Sequence, residues 1–210
     1  MRDIPVFVTE LGVASLTLKE IAYRQEAYIR IQDTRVPQAF LDECVSFCRG
    51  AGAETVFATG HEIVDGYPLH TEVWEMRCQR ERLMQTRAAL FPVQAHTKEH
   101  WRQIYNDRMR NVPNAATMTL GDSEAIVQRG YFVHADGELL GIGMAAGDTL
   151  DAVASVVPGA GQDVVAALCG ALTAQTVRVE VASANLPAVR LYERLGFLKT
   201  RSISQWHRVL

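Results

Sequence analysis

The 210-residue chain is poor in cysteine, has no apolar run long enough to cross a bilayer and carries no excess of positive charge. Each shortage removes a class of function. Four cysteines, Cys44, Cys48, Cys78 and Cys169, are too few for a disulfide scaffold in a chain of this size, so reduced thiols are expected. Cys44, Cys48, His61, His70 and Cys78 do not follow the spacing of a zinc finger or ribbon, so no metal is expected and the thiols read as small apolar residues on a helix face. Lys and Arg number 21 against 24 Asp and Glu, a net charge of −3 with the two signs interspersed; neither nucleic acid nor an anionic membrane is expected as a partner. Residues 1–10 carry charges at Arg2, Asp3 and Glu10 and lack a sustained apolar stretch, which makes a cytoplasmic location the default expectation. A Gly-x-Ser-x-Gly elbow, a Walker loop and a His-Glu-x-x-His pair are all missing, and with them any support for hydrolase, nucleotide-hydrolysing or zinc-protease chemistry.

What is there is concentrated in residues 176–197, TVRVEVASANLPAVRLYERLGF. Residues 176–182 alternate as a strand, with Val177, Val179 and Val181 on one face and Arg178, Glu180 and Ala182 on the other. Asn185 stands where a helix N-cap belongs, and Gly196 where a helix ending at 195 stops in a left-handed conformation. Ala188, Leu191, Tyr192 and Leu195 repeat at helical spacing, so the phenol of Tyr192 rides on the core-facing side, where a buried hydroxyl needs a partner. By itself such a Leu-Tyr pair is more often plain core, and Glu180 is equally readable as an ion-pair partner of Arg178 or Arg190.

The ordered set Glu180, Asn185, Ala188, Leu191, Tyr192, Gly196 and Phe197 resembles the C-terminal signature of the GNAT superfamily of acyl-CoA N-acyltransferases, with the acid twelve positions before the tyrosine. The resemblance implies Tyr192 as the general acid returning a proton to the departing CoA thiolate. It implies Glu180 as the base for the incoming ammonium, directly or through water, and Asn185 as a contact of the pantetheine arm as well as a cap. It implies further that the strand over 151–157 splays from the strand over 176–182, so that pantetheine adds like a strand in the wedge. Contacts with acetyl-CoA would then run through Ala154, Val156 and Val157 into Gly159, Ala160, Gly161, Gln162, Asp163 and Val164. The Val156 N–H would polarise the thioester carbonyl, and the free N–H groups of the helix at 162–174 would meet the pyrophosphate. The turn departs from the family pattern: Pro158-Gly159-Ala160-Gly161 is short, has no basic residue, and is followed by Asp163, which repels phosphate.

Around this run, residues 88–210 read as one GNAT domain. Its elements are a strand at 91–95, a helix capped by Thr97 through 111, a short helix at 123–128, a hairpin over 131–145 turning at Asp136-Gly137, and a last strand at 200–209. The expected architecture is α/β, a twisted, mixed but mostly antiparallel sheet flanked by helices. Residues 1–85 read as a separate α/β region with strands at 5–9, 12–18, 27–32, 54–58 and 71–78 and a helix at 37–49. That order echoes a GNAT half without its signature, either a degenerate partial repeat or an unrelated cap. The charged stretch 79–87 reads as a boundary or a linking helix. His134 and His207 are readable as acceptor-cleft residues or as packed strand residues. The expected activity is direct acyl transfer from acetyl-CoA to a primary amine, on a small molecule or a peptide. The other reading is a catalytically silent module that binds acyl-CoA or a protein partner.

Overall fold

The computed structural model describes residues 3–210, which form two compact units, residues 3–73 with Ile203–Leu210, and Trp74–Ser202. In the first unit the chain runs through β1 (Ile4–Val8), β2 (Gly12–Thr17), α1 (Ile21–Arg24), β3 (Glu26–Thr34), α2 (Pro37–Gly50) and β4 (Thr55–Thr59) into β5 (Leu69–Gln79). β1, β2 and β3 pair antiparallel, β3 pairs parallel with β4, and the end of the last strand of the chain pairs antiparallel with β4. Phe40, Leu41, Cys44 and Cys48 of α2 are buried against Leu16, Ile29, Ile31 and Val56. The two thiols are thus core residues on one helix face, and burial pushes each up to about 12.

The second unit contains β6 (Ala89–Pro92), α3 (Lys98–Met109), α4 (Ser123–Arg129), β7 (Gly130–Ala135), β8 (Glu138–Ala146), β9 (Thr149–Ser155), α5 (Gly161–Gly170), β10 (Thr176–Ala182), α6 (Leu186–Arg194) and β11 (Leu198–Arg208), whose last residues belong to the first unit. β6, β7, β8 and β9 form an antiparallel meander, and β9 pairs parallel with β10 after the α5 crossover. β5 lies between β10 and β11, a strand from early in the sequence filling the place beside β10. One face carries α5 and α6 over a core of Met76, Val164, Leu168, Val177, Val179, Val181 and Phe197. The other carries α3 with Trp101 and Tyr105 over Phe132, Ile142, Met144, Ala152 and Ala154. α5 approaches β8 closely because β8 is bare there: a Cβ on Gly143 would stand 2.2 Å from Leu168 Cδ1. No helix of the described residues is long and apolar enough to cross a membrane.

The expected elements are found within a few residues of where the pattern placed them, with one exception. The stretch 79–87 is no helix; it makes a single 3-10 turn (Arg80–Arg82) and then runs irregularly to β6.

Candidate active site

β9 and β10 touch over two residue pairs only, Arg178↔Thr149 and Val179↔Leu150, closed off by the Arg178 N–H donating to the Asp148 carbonyl at 2.7 Å. Beyond Val179 they part. The cause is a β-bulge: Ala145 of β8 faces Leu150, but its neighbour Met144 faces Ala152, so Asp151 is an extra residue on β9. A bulge bends its strand and ends pairing on that side. Burial records the same slip, since Leu150 packs with the α5 core whereas Ala152 and Ala154 pack under α3. The Asp151 carboxylate meets Arg129 Nη1 at 2.6 Å, which holds the extra residue outward.

The bulge also decides which backbone groups face the gap. The Val156 N–H donates to the Leu140 carbonyl at 2.8 Å, so pairs 140/156 and 142/154 bridge to β8 and the alternate residues do not. Val153 and Ser155 therefore turn their N–H and C=O away from β8, into the space β10 has left. The Val156 N–H, expected at a thioester, is instead bonded to Leu140, and Ala154 shares its side of the strand. Val157 also leans on Leu140, at 3.4 Å.

Tyr192 lies on α6, over the face of the sheet that α5 and α6 cover. Asn185 caps α6 by accepting from the Ala188 N–H at 3.4 Å, Pro187 occupies the first turn, and Gly196, at φ +87°, lets the chain leave the helix. Val189, Tyr192 and Leu195 are buried, with Ala188 and Leu191 half-buried beside them. The Tyr192 ring lies 5.5 Å from that of Phe197, and its hydroxyl has no hydrogen-bond partner among the described residues. Burial, with Cys169 nearby, raises the phenol well above its ordinary range, so it stays protonated at any working pH.

On the opposite face, one residue beyond the last β9–β10 pair, is Glu180. Its carboxylate is half-exposed and 3.3 Å from Arg178 Nη1. Arg178 is fixed from two further sides, by Thr149 Oγ1 at 2.9 Å and by Glu75 of β5 at 3.7 Å. Glu75 is buried, and Arg77 at 2.8 Å, then Thr200 at 2.9 Å and Arg201 at 3.0 Å, hold its carboxyl down to about 2.

Past β9, Gly159 has φ +84° and open space around it, and α5 begins at Gly161 without a side-chain cap, so its first N–H groups are free of capping. Val164 is not part of that set: its N–H already donates to Ala160 and its side chain is wholly buried. Asp163 is tied away by Thr86, whose hydroxyl donates to it at 2.7 Å.

No protein-family model matches the sequence, and no curated protein matches it either. Solved structures do. A functionally unknown conserved protein from Staphylococcus epidermidis superposes with a TM-score of 0.61 at 10% identity, over 96% of this chain and 91% of that one. A GCN5-related N-acetyltransferase from Kribbella flavida gives 0.53 at 14% identity, over 99% and 89%. A GCN5-related N-acetyltransferase-like protein from Streptococcus suis gives 0.52 at 13% identity, over 97% and 87%. The chain has the GNAT fold. The similarity extends through the first unit as well as the second.

Two residues near the β9–β10 gap escaped the motif. Arg108, in the last turn of α3, donates from Nη2 to the Val156 carbonyl at 2.9 Å, which brings a cation to the end of β9 where the turn itself has none. Glu75 is the other, on a strand remote in sequence. His134 stacks edge-on against Phe91 at 5.2 Å, and His207 bonds through Nδ1 to the Tyr67 carbonyl at 2.9 Å; both are packed strand residues. A cavity of about 960 Å³ lies elsewhere, between residues 79–90 and Ala166, Ala167, Cys169 and Gly170 of α5, and none of residues 153–163 or 180–192 lines it. Cys169 borders it but is buried, its thiol pushed up to about 12 chiefly by burial.

Proposed function

We propose that this GNAT-fold chain is an N-acyltransferase that passes an acyl group from acetyl-CoA directly to a primary amine. The observation that carries the reading is the gap itself: two parallel strands paired at two positions and then parted, with backbone groups of Val153 and Ser155 left facing the opening. The residues fit a thioester there, because an unpartnered phenol and unpaired strand N–H groups are polar groups awaiting a ligand. Acetyl-CoA supplies the activated acyl group. The Val153 N–H, the first donor beyond the bulge, donates to the acyl oxygen as negative charge develops on it. Ser155 holds the pantetheine arm as an added strand, with Asn185 beside it. The phosphates lie against the α5 N-terminus behind Gly159, with Arg108 providing the positive charge the turn lacks. Glu180, directly or through a water, takes the proton of the attacking amine; as the new N–C bond forms and the C–S bond breaks, Tyr192 gives its proton to sulfur.

The test is Tyr192→Phe. Its hydroxyl bonds to nothing in the free protein, so Tm and the Kd for CoA stay near wild type while kcat falls by about 10²–10⁴. Undiminished turnover removes Tyr192 from the mechanism. Thermal stabilisation by acetyl-CoA with no transfer to a broad amine panel identifies a silent binding module instead.

A further inference from the structure

The surroundings of Glu180 are rich in guanidinium groups. Arg77 and Arg201 are largely exposed and Arg178 half-buried, yet all three converge on one carboxylate, Glu75, whose side chain is 2% exposed. Counted with Glu180 and with Asp148, whose charge acts on Arg77, the cluster holds three cations and three anions. Glu75 absorbs one nitrogen of Arg77 and two of Arg201, leaving the terminal nitrogens of Arg77 and Nη1 of Arg201 unbonded among the described residues. Glu75 thereby acts as a buried anchor that fixes three flexible side chains, so that their remaining N–H donors are pre-organised rather than free to swing. A polyamine or a basic peptide end finds no acceptor in those N–H groups. An acceptor with an anionic group a few ångströms from its amine meets charge-assisted, forked donors.

Resting on the transferase reading above, we propose that the acceptor is an amine bearing its own carboxylate, an amino acid or a comparable amino-carboxylic acid, gripped by Arg77, Arg178 and Arg201 while its amine faces Glu180. The experiment compares free amino acids with their primary amides as acetyl acceptors of the wild-type chain. The carboxylate forms are expected to win by about 10- to 100-fold in kcat/KM, with the preference weakening as salt rises. Arg77→Gln and Arg201→Gln should each pull that ratio toward one. A second readout needs no turnover: in the free protein, amino acids should shift the arginine Nε–Hε resonances of the cluster and the amides should not. Equal or better use of the amides, or a ratio unmoved in both variants, overturns the inference and leaves the transferase standing. Failure of acetyl-CoA to stabilise the chain, together with no transfer to either form, overturns the transferase reading first.

Discussion

The β9 register makes a prediction that neighbouring residues answer in opposite ways. If Asp151 is the bulged residue, the Val153 N–H faces the gap and the Ala154 N–H bridges to the Ile142 carbonyl. Val153→Pro then removes no ladder bond: on its β10 side this part of β9 behaves as an edge strand, where proline is tolerated, and the three-carbon ring keeps most of the side chain's contact with the α5 core. Its cost falls on catalysis, since one oxyanion donor is worth about 10²–10³ in kcat. Ala154→Pro removes a ladder bond and strands a carbonyl next to the wholly buried Ile142, costing about 1–3 kcal/mol, with added crowding under α3. At about 2–4 °C per kcal/mol for a chain of this length, that is a plain loss in a calorimetric scan. Val153→Ala serves as the control for lost side-chain contact. The expected pattern is a stable but crippled Val153→Pro and a destabilised Ala154→Pro. Should Val153→Pro melt early and Ala154→Pro stay intact, the parity is reversed and the Val156 N–H expected from sequence regains its place.

Three further outcomes follow from the same geometry. Arg108→Gln should weaken binding of acetyl-CoA severalfold and leave acetyl-pantetheine, which lacks the nucleotide phosphates, unaffected; equal weakening of both places Arg108 elsewhere. Titration calorimetry should give one acetyl-CoA per chain, and a second site of comparable affinity is incompatible with a β3–β4 pair closed over five residue pairs. Glu75 is depressed in the folded state, from 4.5 to about 2, so its contribution to stability is complete above pH 4.5 and is lost as pH falls through 2. Glu75→Gln should therefore flatten the acid limb of a stability–pH profile between those values, and an unchanged limb would show that the arginine network is not what holds Glu75 ionised.

The parts of the site legible in the sequence are those written by local chemistry. Asn185 and Gly196 mark the ends of α6 because a cap and a left-handed exit each demand a particular residue, and the valine alternation of β10 follows from having one face on the core. The bulge was not legible. Residues 152–157 are AVASVV, apolar at nearly every position, so no period records which side each faces, and Asp151 is displaced by its pairing with β8 rather than by its own preference. Glu75 was invisible for a different reason: it lies 105 positions before Glu180, on a strand that reaches β10 only through tertiary pairing. The segment 79–87 shows no periodicity that fixes its form, and its polar groups have local uses: Arg80 donates to the Leu172 carbonyl after α5, and Thr86 holds Asp163.

The same device separates two stretches of the chain that share an order of elements. The order β2, β3, α2, β4 in the first unit repeats the order β8, β9, α5, β10 in the second, each with an antiparallel hairpin and a parallel crossover. Each also has a bulge on the strand before the helix, at Asp151 in β9 and at Gln32 in β3, where Val13 faces Asp33 but Ala14 faces Ile31. In both, parallel pairing stops just before the bulge. What differs is where the bulge falls. In β9 it comes two residues in, leaving Ala152 to Ser155 unpaired on the β10 side, a length that an extended ligand can match. In β3 it comes late, after five parallel pairs from Glu26↔Thr55 to Arg30↔Thr59, so β3 and β4 are closed along almost their whole common length. Gly60 follows, where a Cβ would stand 2.2 Å from the Ile31 carbonyl oxygen, so even the exit from β4 is packed against β3. Moving a bulge along a strand costs little in sequence, yet it converts a ligand-sized wedge into continuous backbone pairing. Pairing continued in this way leaves little of the β3 backbone facing an opening, whereas β9 keeps the groups of Val153 and Ser155 unpaired.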